Sequence, residues 1–310
     1  MRKSHKQRAG GKSTSTKAKS LIPYIGGKFK LLPKIIALIR FASAHHGLTA
    51  YREWCGGSGK VLMNLPPGLF EEERWYNDLN VGLSQLMETV GDPEGVYALQ
   101  DILLLERDIG EGVFLKAKEE QMKAKNEPIM IGAANTFILA TQSYAAAMES
   151  YDPSLDWDLD RIDSYYARIE QLQSFQEILD GVKVTSRNCF ELLAECQHDD
   201  HAIVFLDPPY APEVMRGKRH YGERSWGVWE HQMLVKLLLE TEMKVVLSGY
   251  DTIHYSLLEE AGWTKIHLGE VAVSSSGASR VRANEFAWTS FDIPGELLDK
   301  VSEPEPPIHW

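Results

Sequence analysis

The sequence predicts an α/β fold, a mainly parallel sheet that closes in an antiparallel edge strand and carries a helical insertion. Three observations lead there. Short apolar runs, of which Ala202–Leu206 is the clearest, recur between segments of helical periodicity. Tyr51 to Gly59 reads as a strand running into a Gly-rich turn, the arrangement that lets a backbone approach a nucleotide-like ligand. Between Asp78 and Gly181 there is little strand signal, and residues 95–125, 129–149 and 160–179 carry helical spacing with many Lys, Glu and Gln.

The elements follow in order. Residues 1–20 hold Arg2, Lys3, Lys6, Arg8, Lys12, Lys17 and Lys19, seven basic residues and no acid. Their Ser, Thr and Gly content predicts a disordered tail, read either as an arm for a nucleic-acid backbone or as a solubilising extension. After Pro23–Lys30, the spacing of Leu31, Leu32, Ile35, Ile36, Leu38 and Ile39 predicts a helix with Pro33 in its first turn. Strands are expected near 50–54 and 73–77, with the helix-compatible Lys60–Leu65 after the Gly-rich turn. Asp78 closes the second strand. It suits either a ribose-holding acid or an N-cap for the helix starting at Leu79, and the two roles are compatible. A helical insertion spans 92–178, and its acidic stretch from Glu149 to Asp163 reads as a solvent-facing loop and helix start. Further strands are expected near 182–187, 202–206, 244–248, 265–273 and 285–291. Residues 21–91 and 179–295 thereby form one sheet domain, and 296–310 a flexible C-terminal tail rich in Pro and Glu.

Composition narrows the class. A chain of 310 residues with 44% hydrophobic residues supports a large domain with a sizeable core. No stretch approaches the ~20 apolar residues of a membrane span. The N-terminus lacks the apolar core of a signal peptide, which argues against secretion. Cys55, Cys189 and Cys196 show no zinc-ligand spacing, so no metal is expected, and three unpaired thiols suit a reducing cytoplasm. There is no phosphate loop of the ATP-binding type. Net charge is −11, and with the tail's +7 set aside the remainder carries −18. A second basic cluster, Arg216, Lys218, Arg219, His220 and Arg224, is interleaved with Tyr221 and Trp226, a mixture suited to phosphate contact and base stacking.

The densest chemistry stands at Asp207-Pro208-Pro209-Tyr210, directly after the run Ala202–Leu206. In open α/β sheets the carboxyl ends of the strands are where ligands bind. An acid can accept a hydrogen bond from an exocyclic amine. Two prolines stiffen the turn so that a carbonyl can be aimed at the second amine hydrogen, and a Tyr ring can stack on a flat base. The set suits methylation of an amino group on such a ring.

Four segments in fixed order carry a resemblance: Tyr24-x-Gly26-Gly27-Lys28, Glu53-x-x-x-Gly57-x-Gly59, Asn77-Asp78-x-Asn80 and Asp207-Pro208-Pro209-Tyr210. Lys244 to Tyr250, ending in Ser-Gly-Tyr, and the Arg-x-x-Glu-x-x-Trp of Arg282 to Trp288 agree with it. Together they resemble the Dam-type DNA adenine methyltransferases of the α group, in their phage-like branch, over about Leu21 to Phe291. The chain departs from that pattern in Trp54-Cys55, where Pro-Phe is usual, and in Tyr24, where Trp or Phe is usual. It also has Thr141-Gln142-Ser143-Tyr144-Ala145-Ala146 where many relatives carry a Ser-Phe-Asn-Gly-like segment.

The resemblance implies a Rossmann-like S-adenosylmethionine-dependent methyltransferase sheet whose insertion at 92–178 is the target-recognition domain. It implies direct methyl transfer from S-adenosylmethionine to adenine in double-stranded DNA, with the base flipped out. Asp207, Pro208, Pro209 and Tyr210 would form the acceptor site. Tyr24, Gly26, Gly27, Lys28, Cys55, Gly57, Gly59, Asp78 and Asp207 would line the cofactor pocket. Asn188 would reach the cofactor adenine or act as a helix N-cap. Arg216, Lys218, Arg219, Tyr221 and Arg224 would contact DNA. A bacterial or phage-encoded protein is implied, with or without a cognate restriction nuclease. Two alternatives stay open, an amino-methyltransferase acting on cytosine in DNA or on RNA, and a catalytically inactive DNA-binding regulator.

Overall fold

The structure, a computed structural model, describes residues 19–24, 30–123, 128–210, 226–272 and 282–303. Strands β1 (Ala50–Trp54), β2 (Glu73–Asn77), β3 (Lys183–Thr185), β4 (Ala202–Leu206), β5 (Lys244–Tyr250), β6 (Thr264–Ala272) and β7 (Arg282–Thr289) form one sheet in the order β3-β2-β1-β4-β5-β7-β6. The first five pair in parallel, and β7 runs antiparallel between β5 and β6. This is the expected fold class, a seven-stranded Rossmann-like sheet with an antiparallel edge. The chain steps outward from β1 through β2 to β3, then returns to place β4 on the other side of β1. That reversal opens a crevice beyond the carboxyl ends of β1 and β4.

Both faces of the sheet are covered, which is why β4 reads as a continuous apolar run rather than an alternating one. β1 and β4 are buried at every position. Ile203 and Phe205 enter one apolar cluster with helices α1 (Leu32–His46), α2 (Val81–Gly91) and α5 (Ile129–Gln142). Ala202, Val204 and Leu206 enter a second with α8 (Cys189–Glu195) and α9 (Val228–Glu240). A buried arginine holds the second face together. Arg52 of β1, 4% exposed, donates to Glu73 at 2.9 Å, lies 2.6 Å from Asp199, and sits over the rings of Trp54 and Trp75.

The segment 92–178 is largely helical, as the periodicity predicts, but the helix expected over 129–149 ends at Gln142. It comprises α3 (Pro93–Asp101), a π-helical turn at Ile102–Glu106, α4 (Glu111–Gln121), α5, α6 (Leu159–Gln171) and α7 (Gln173–Leu179). α5, α6 and α7 share the apolar cluster of α1 and α2. The periodicity overreaches at Lys60–Leu65, where only one 3₁₀ turn forms, Leu62–Asn64. Pro66 forces Leu65 into an extended conformation (φ −62°, ψ 143°), and the Asn64 amide turns back to the Lys60 carbonyl. β5 runs two residues past its expected end because β7 supplies partners as far as Tyr250. No described helix is long and apolar enough to cross a membrane.

The α2–α5 contact places one loop beside the crevice. Gly82 of α2 faces Thr136, and Gly132 of α5 faces Gln85, so the helices run antiparallel. α2 begins just beyond the carboxyl end of β2, and α5 therefore ends on that side of the sheet. There the chain turns through 143–151, closed by Tyr144 N–H to Ser150 O at 3.0 Å and Met148 N–H to Ser143 Oγ at 2.9 Å. The turn demands left-handed backbone from residues that are not glycine: Ala145 (φ 52°), Ala146 (φ 57°) and Met148 (φ 58°). Such a conformation costs an L-residue ~1–2 kcal/mol, and Gly in place of Ala costs back ~0.5–1 kcal/mol in unfolded-chain entropy. Ala146→Gly is expected to raise stability by about 0.5–1 kcal/mol in urea denaturation. A loss of stability would show that the turn carries no such strain.

Candidate active site

β1 ends at Trp54, and the next residues reverse sharply. Cys55 (φ 57°), Gly57 (φ 54°) and Gly59 (φ 61°) all take left-handed backbone. Parallel register sets Trp54 beside Asn77, so the turn leaves β1 level with the end of β2. Gly56 N–H donates to the Asn77 carbonyl at 3.0 Å, and Gly57 N–H to Asp78 Oδ2 at 2.8 Å. Tyr76 Oη donates to the Gly57 carbonyl at 2.7 Å. A Cβ on Gly56 would stand 2.4 Å from the Tyr76 ring, and one on Gly57 3.0 Å from the ring of Tyr24. The glycines are there because two tyrosines close on the turn.

Asp78 is half-buried and does not cap α2. Asn80 does, accepting from Gly82 N–H at 3.2 Å. Asp78 Oδ1 accepts from Asn80 N–H at 2.8 Å, so its two oxygens join the Gly-rich turn to the start of the helix. Asn77, 1% exposed, performs a similar task on the next strand. Its side chain accepts from Arg187 N–H at 2.8 Å and donates to the Arg187 carbonyl at 3.0 Å, holding the β3–α8 connection. Asn188 is exposed at the end of that connection, where its Oδ1 caps α8 through Phe190 N–H at 3.0 Å.

Beyond β4, Asp207 is half-buried, Pro208 buried and Tyr210 half-exposed. The Tyr210 ring stacks on that of Tyr250, which ends β5, with centroids 4.1 Å apart and planes 25° from parallel. The field of Asp207 reaches both sides of the crevice. It helps push up the carboxyl of Glu53, the thiol of Cys55 and the phenol of Tyr255. For Cys55 the larger causes are the facing Cys189 thiol and burial, and for Tyr255 burial.

Sequence reasoning assigned no role to Glu53, although it stands in the quoted motif. It is 2% exposed on β1, and its Oε2 accepts from Tyr51 Oη at 2.9 Å and from Leu62 N–H at 2.5 Å. Burial drives its carboxyl up to about 8, hydrogen bonds from Tyr51, Leu62 and Val61 oppose the rise, and Asp207 adds to it. An acid in the strand that runs into the Gly-rich turn was the available signal.

The structure brings Tyr24, Cys55, Gly57, Gly59, Asp78, Asp207, Pro208, Pro209 and Tyr210 to one end of the sheet, on the turns after β1, β2 and β4 or against them. Gly26, Gly27 and Lys28 lie outside the described residues, as do Arg216, Lys218, Arg219, Tyr221, Arg224 and the basic residues of the tail before Lys19. Among the described residues no three His, Cys, Asp or Glu side chains are grouped to hold a metal ion.

A family model described as D12 class N6 adenine-specific DNA methyltransferase matches residues 24–273. No curated protein matches the chain.

The protonation of Glu53 has a measurable consequence. In the unfolded chain its carboxyl ionises near 4.5, in the folded protein near 8. The proton held by the fold stabilises it fully below the lower value, and that contribution is lost as pH rises towards the upper one. Glu53→Gln has no such proton to lose. Its stability relative to the parent chain should rise by up to about 1.4 kcal/mol per pH unit inside that window and level off above it. Denaturation curves whose difference stays flat between pH 5 and 8 would mean that Glu53 is ionised in the fold.

Proposed function

We propose, for a chain that belongs to the D12 class N6 adenine-specific DNA methyltransferases, that it transfers the methyl group of S-adenosylmethionine to N6 of an adenine flipped out of double-stranded DNA. The observation that carries this reading is the juxtaposition at the crevice. An Asp-Pro-Pro-Tyr turn after β4 stands next to a Gly-rich turn after β1 that is tied to an acid after β2.

The crevice suits the cofactor. Close approach of backbone to a ligand needs residues without Cβ, and Gly57, beside the Tyr24 ring, and Gly59 supply them. Asp78, half-buried at the end of the second strand, is placed to accept from ribose hydroxyls. We assign Tyr24, Gly26, Gly27, Lys28, Cys55, Gly57, Gly59 and Asp78 to this pocket. Asn188 would reach the cofactor adenine, beyond its role in capping α8 through Phe190 N–H. S-adenosylmethionine, when bound, supplies a methyl group on a sulfonium centre, so the protein needs no nucleophile of its own.

The protein's task is to prepare the acceptor. The adenine amino lone pair is delocalised into the ring. Hydrogen bonds from its two protons to the Asp207 carboxylate and the Pro208 carbonyl favour a pyramidal nitrogen and hold it in line for attack. Pro209 keeps that carbonyl fixed, and Tyr210 offers a ring face to the extruded base. A base inside a duplex cannot reach such a pocket, which is why flipping belongs to the reading. The helical segment 92–178 would carry target recognition, and the loop 143–151 lies on the crevice side for that purpose. Arg216, Lys218, Arg219, Tyr221, Arg224 and the basic tail would hold the phosphate backbone.

Incubation with S-adenosylmethionine and DNA, followed by digestion to nucleosides, should yield N6-methyladenine. Methylcytosine alone, or no product, would overturn the assignment. Asp207→Ala should abolish transfer while leaving cofactor affinity within about tenfold, since the lost contact serves the amine. Near-normal single-turnover transfer by that variant would remove Asp207 from the acceptor site.

Asp78→Ala should weaken S-adenosylmethionine binding by about 1.5–3 kcal/mol, the scale of a charge-assisted hydrogen bond. Calorimetry showing unchanged affinity would leave Asp78 as a tether of the turn and nothing more.

A further inference from the structure

The Gly-rich turn is held at two points. Its entry, Gly56 and Gly57, is tied to the end of β2 by Asn77, Asp78 and Tyr76. Its exit is tied back to β1 by one carboxyl group, beside the turn's own bond from Met63 N–H to the Gly59 carbonyl at 3.0 Å. Glu53 Oε2 reaches from β1 across nine residues of chain to accept Leu62 N–H at 2.5 Å. Leu62 is the first residue of the 3₁₀ turn Leu62–Asn64, so its N–H has no partner within that turn. It is also buried, at 2% exposure, where no water can satisfy it. The same oxygen accepts Tyr51 Oη at 2.9 Å from a fully buried ring, which fixes the rotamer of the carboxyl. With two donors on it, that oxygen points into the protein and not into the crevice.

We propose that Glu53 is a positioning residue for cofactor capture, acting only by closing the exit of the Gly-rich turn. Residues 58–61 form a hydrogen-bonded turn between the two anchors, with Gly59 N–H on the Gly56 carbonyl at 2.9 Å and Met63 N–H on the Gly59 carbonyl at 3.0 Å, and their backbone presents whatever groups meet the ligand. Loss of the exit tie leaves Leu62 N–H buried without an acceptor, and the turn must open towards solvent to satisfy it. The acceptor turn after β4 is not part of this closure. The charged and titratable groups that face Glu53 are Tyr51 on its own strand, Tyr76 on β2 and Asp207 after β4, and none of them is a cation. An acceptor of hydrogen bonds is therefore what the site requires, and a negative charge is not.

This inference rests on the reading of the Gly-rich turn as the cofactor site, and the test separates the two. Calorimetry with S-adenosylmethionine and S-adenosylhomocysteine should be run on the full chain, Glu53→Gln and Glu53→Leu, beside DNA-binding and steady-state assays. Gln keeps a carbonyl acceptor for Leu62 N–H, and its affinity for both compounds should stay within about threefold of the parent chain. Leu has no acceptor, and its affinity for both should fall by about tenfold or more. In the Leu variant KM for S-adenosylmethionine should rise while kcat at saturation and DNA affinity are kept, a split that general loosening of the fold would not produce. Where Glu53→Leu does not fold, Tyr51→Phe serves instead. It frees the carboxyl rotamer and should cost a few-fold in affinity for both compounds. Unchanged affinity in Leu or Phe variants overturns the proposal. Equal losses in Gln and Leu overturn it too, because the carboxylate would then be touching the ligand directly. A parent chain that binds neither compound removes the cofactor reading itself, and this inference with it.

Discussion

Gly57 N–H donating to Asp78 Oδ2 at 2.8 Å joins the ends of two adjacent parallel strands, and the crevice depends on that joint. β1 and β2 are in register, Trp54 beside Asn77, so the chain leaves both strands at the same level. A turn leaving β1 at that level must either run out over the edge or fold back on itself. Left-handed backbone at Cys55, Gly57 and Gly59 folds it back, and Asp78 accepts the N–H thereby exposed. Tyr76 Oη on the Gly57 carbonyl completes the reversal, and its ring leaves no room for a side chain at Gly56. Gly56 and Gly57 are thus the imprint of tyrosine packing and of one hydrogen bond, and Gly59 that of Met87, 2.8 Å from where its Cβ would stand.

Three carboxyl groups crowd this edge, and each is accommodated differently. Glu53 is buried and held neutral up to about pH 8, so it acts as an acceptor without bringing charge. Asp78 is half-buried and gives one oxygen to the Gly57 N–H of the turn and the other to the Asn80 N–H at a helix start, where negative charge is favoured. Asp207 stands half-buried after β4 and adds a minor part to the upward shifts of Glu53 and Tyr255, which burial dominates, and of Cys55, which the Cys189 thiol and burial dominate. Three ionised acids at adjacent strand ends would repel one another in a poorly solvated space. Burying one of them as a neutral acid removes most of that cost.

Much of this was legible in the sequence, because strands buried on both faces announce themselves as unbroken apolar runs. Ala202–Leu206 is the clear case, and the residues just past it had to stand at the carboxyl edge. Positions that depend on a neighbouring chain segment were not legible. Lys60–Leu65 has helical spacing, yet Pro66 and the Asn64 side chain stop the helix after one turn. Asp78 and Asn80 are equally good N-caps by residue type, and only the position of the Gly57 N–H decides that Asp78 turns towards it. Glu53 looked like one letter of a motif. Its state follows from Tyr51 two residues earlier and Leu62 nine residues later, which share one oxygen only when the turn is folded. Nothing in the composition of Ser143–Met148 signals left-handed backbone at two alanines. Closure of the loop by Ser143 and Ser150 imposes it.

The antiparallel edge belongs to the same machinery, although its residues are remote in sequence. Tyr250 and Glu285 are register partners on β5 and β7, and Ser248 Oγ donates to Glu285 Oε1 at 3.2 Å. Leu247 lies beside Trp288, whose Nε1 donates to Glu259 at 3.1 Å and whose ring meets Tyr255 edge-on. The Ser-Gly-Tyr and Arg-x-x-Glu-x-x-Trp segments are therefore one unit, and each fixes the other. Its product is the position of the Tyr250 ring, against which Tyr210 stacks at 4.1 Å. An aromatic ring on a turn would otherwise sample several rotamers, and an approaching base would have to order it at an entropic cost. With one face already covered, Tyr210 presents only its other face, and its orientation is settled before any ligand arrives. A parallel strand at β7 would leave β5 ending against a crossover helix. The antiparallel return instead delivers Glu285 to the level of Tyr250, which gives a physical reason for that reversal at the edge of an otherwise parallel sheet.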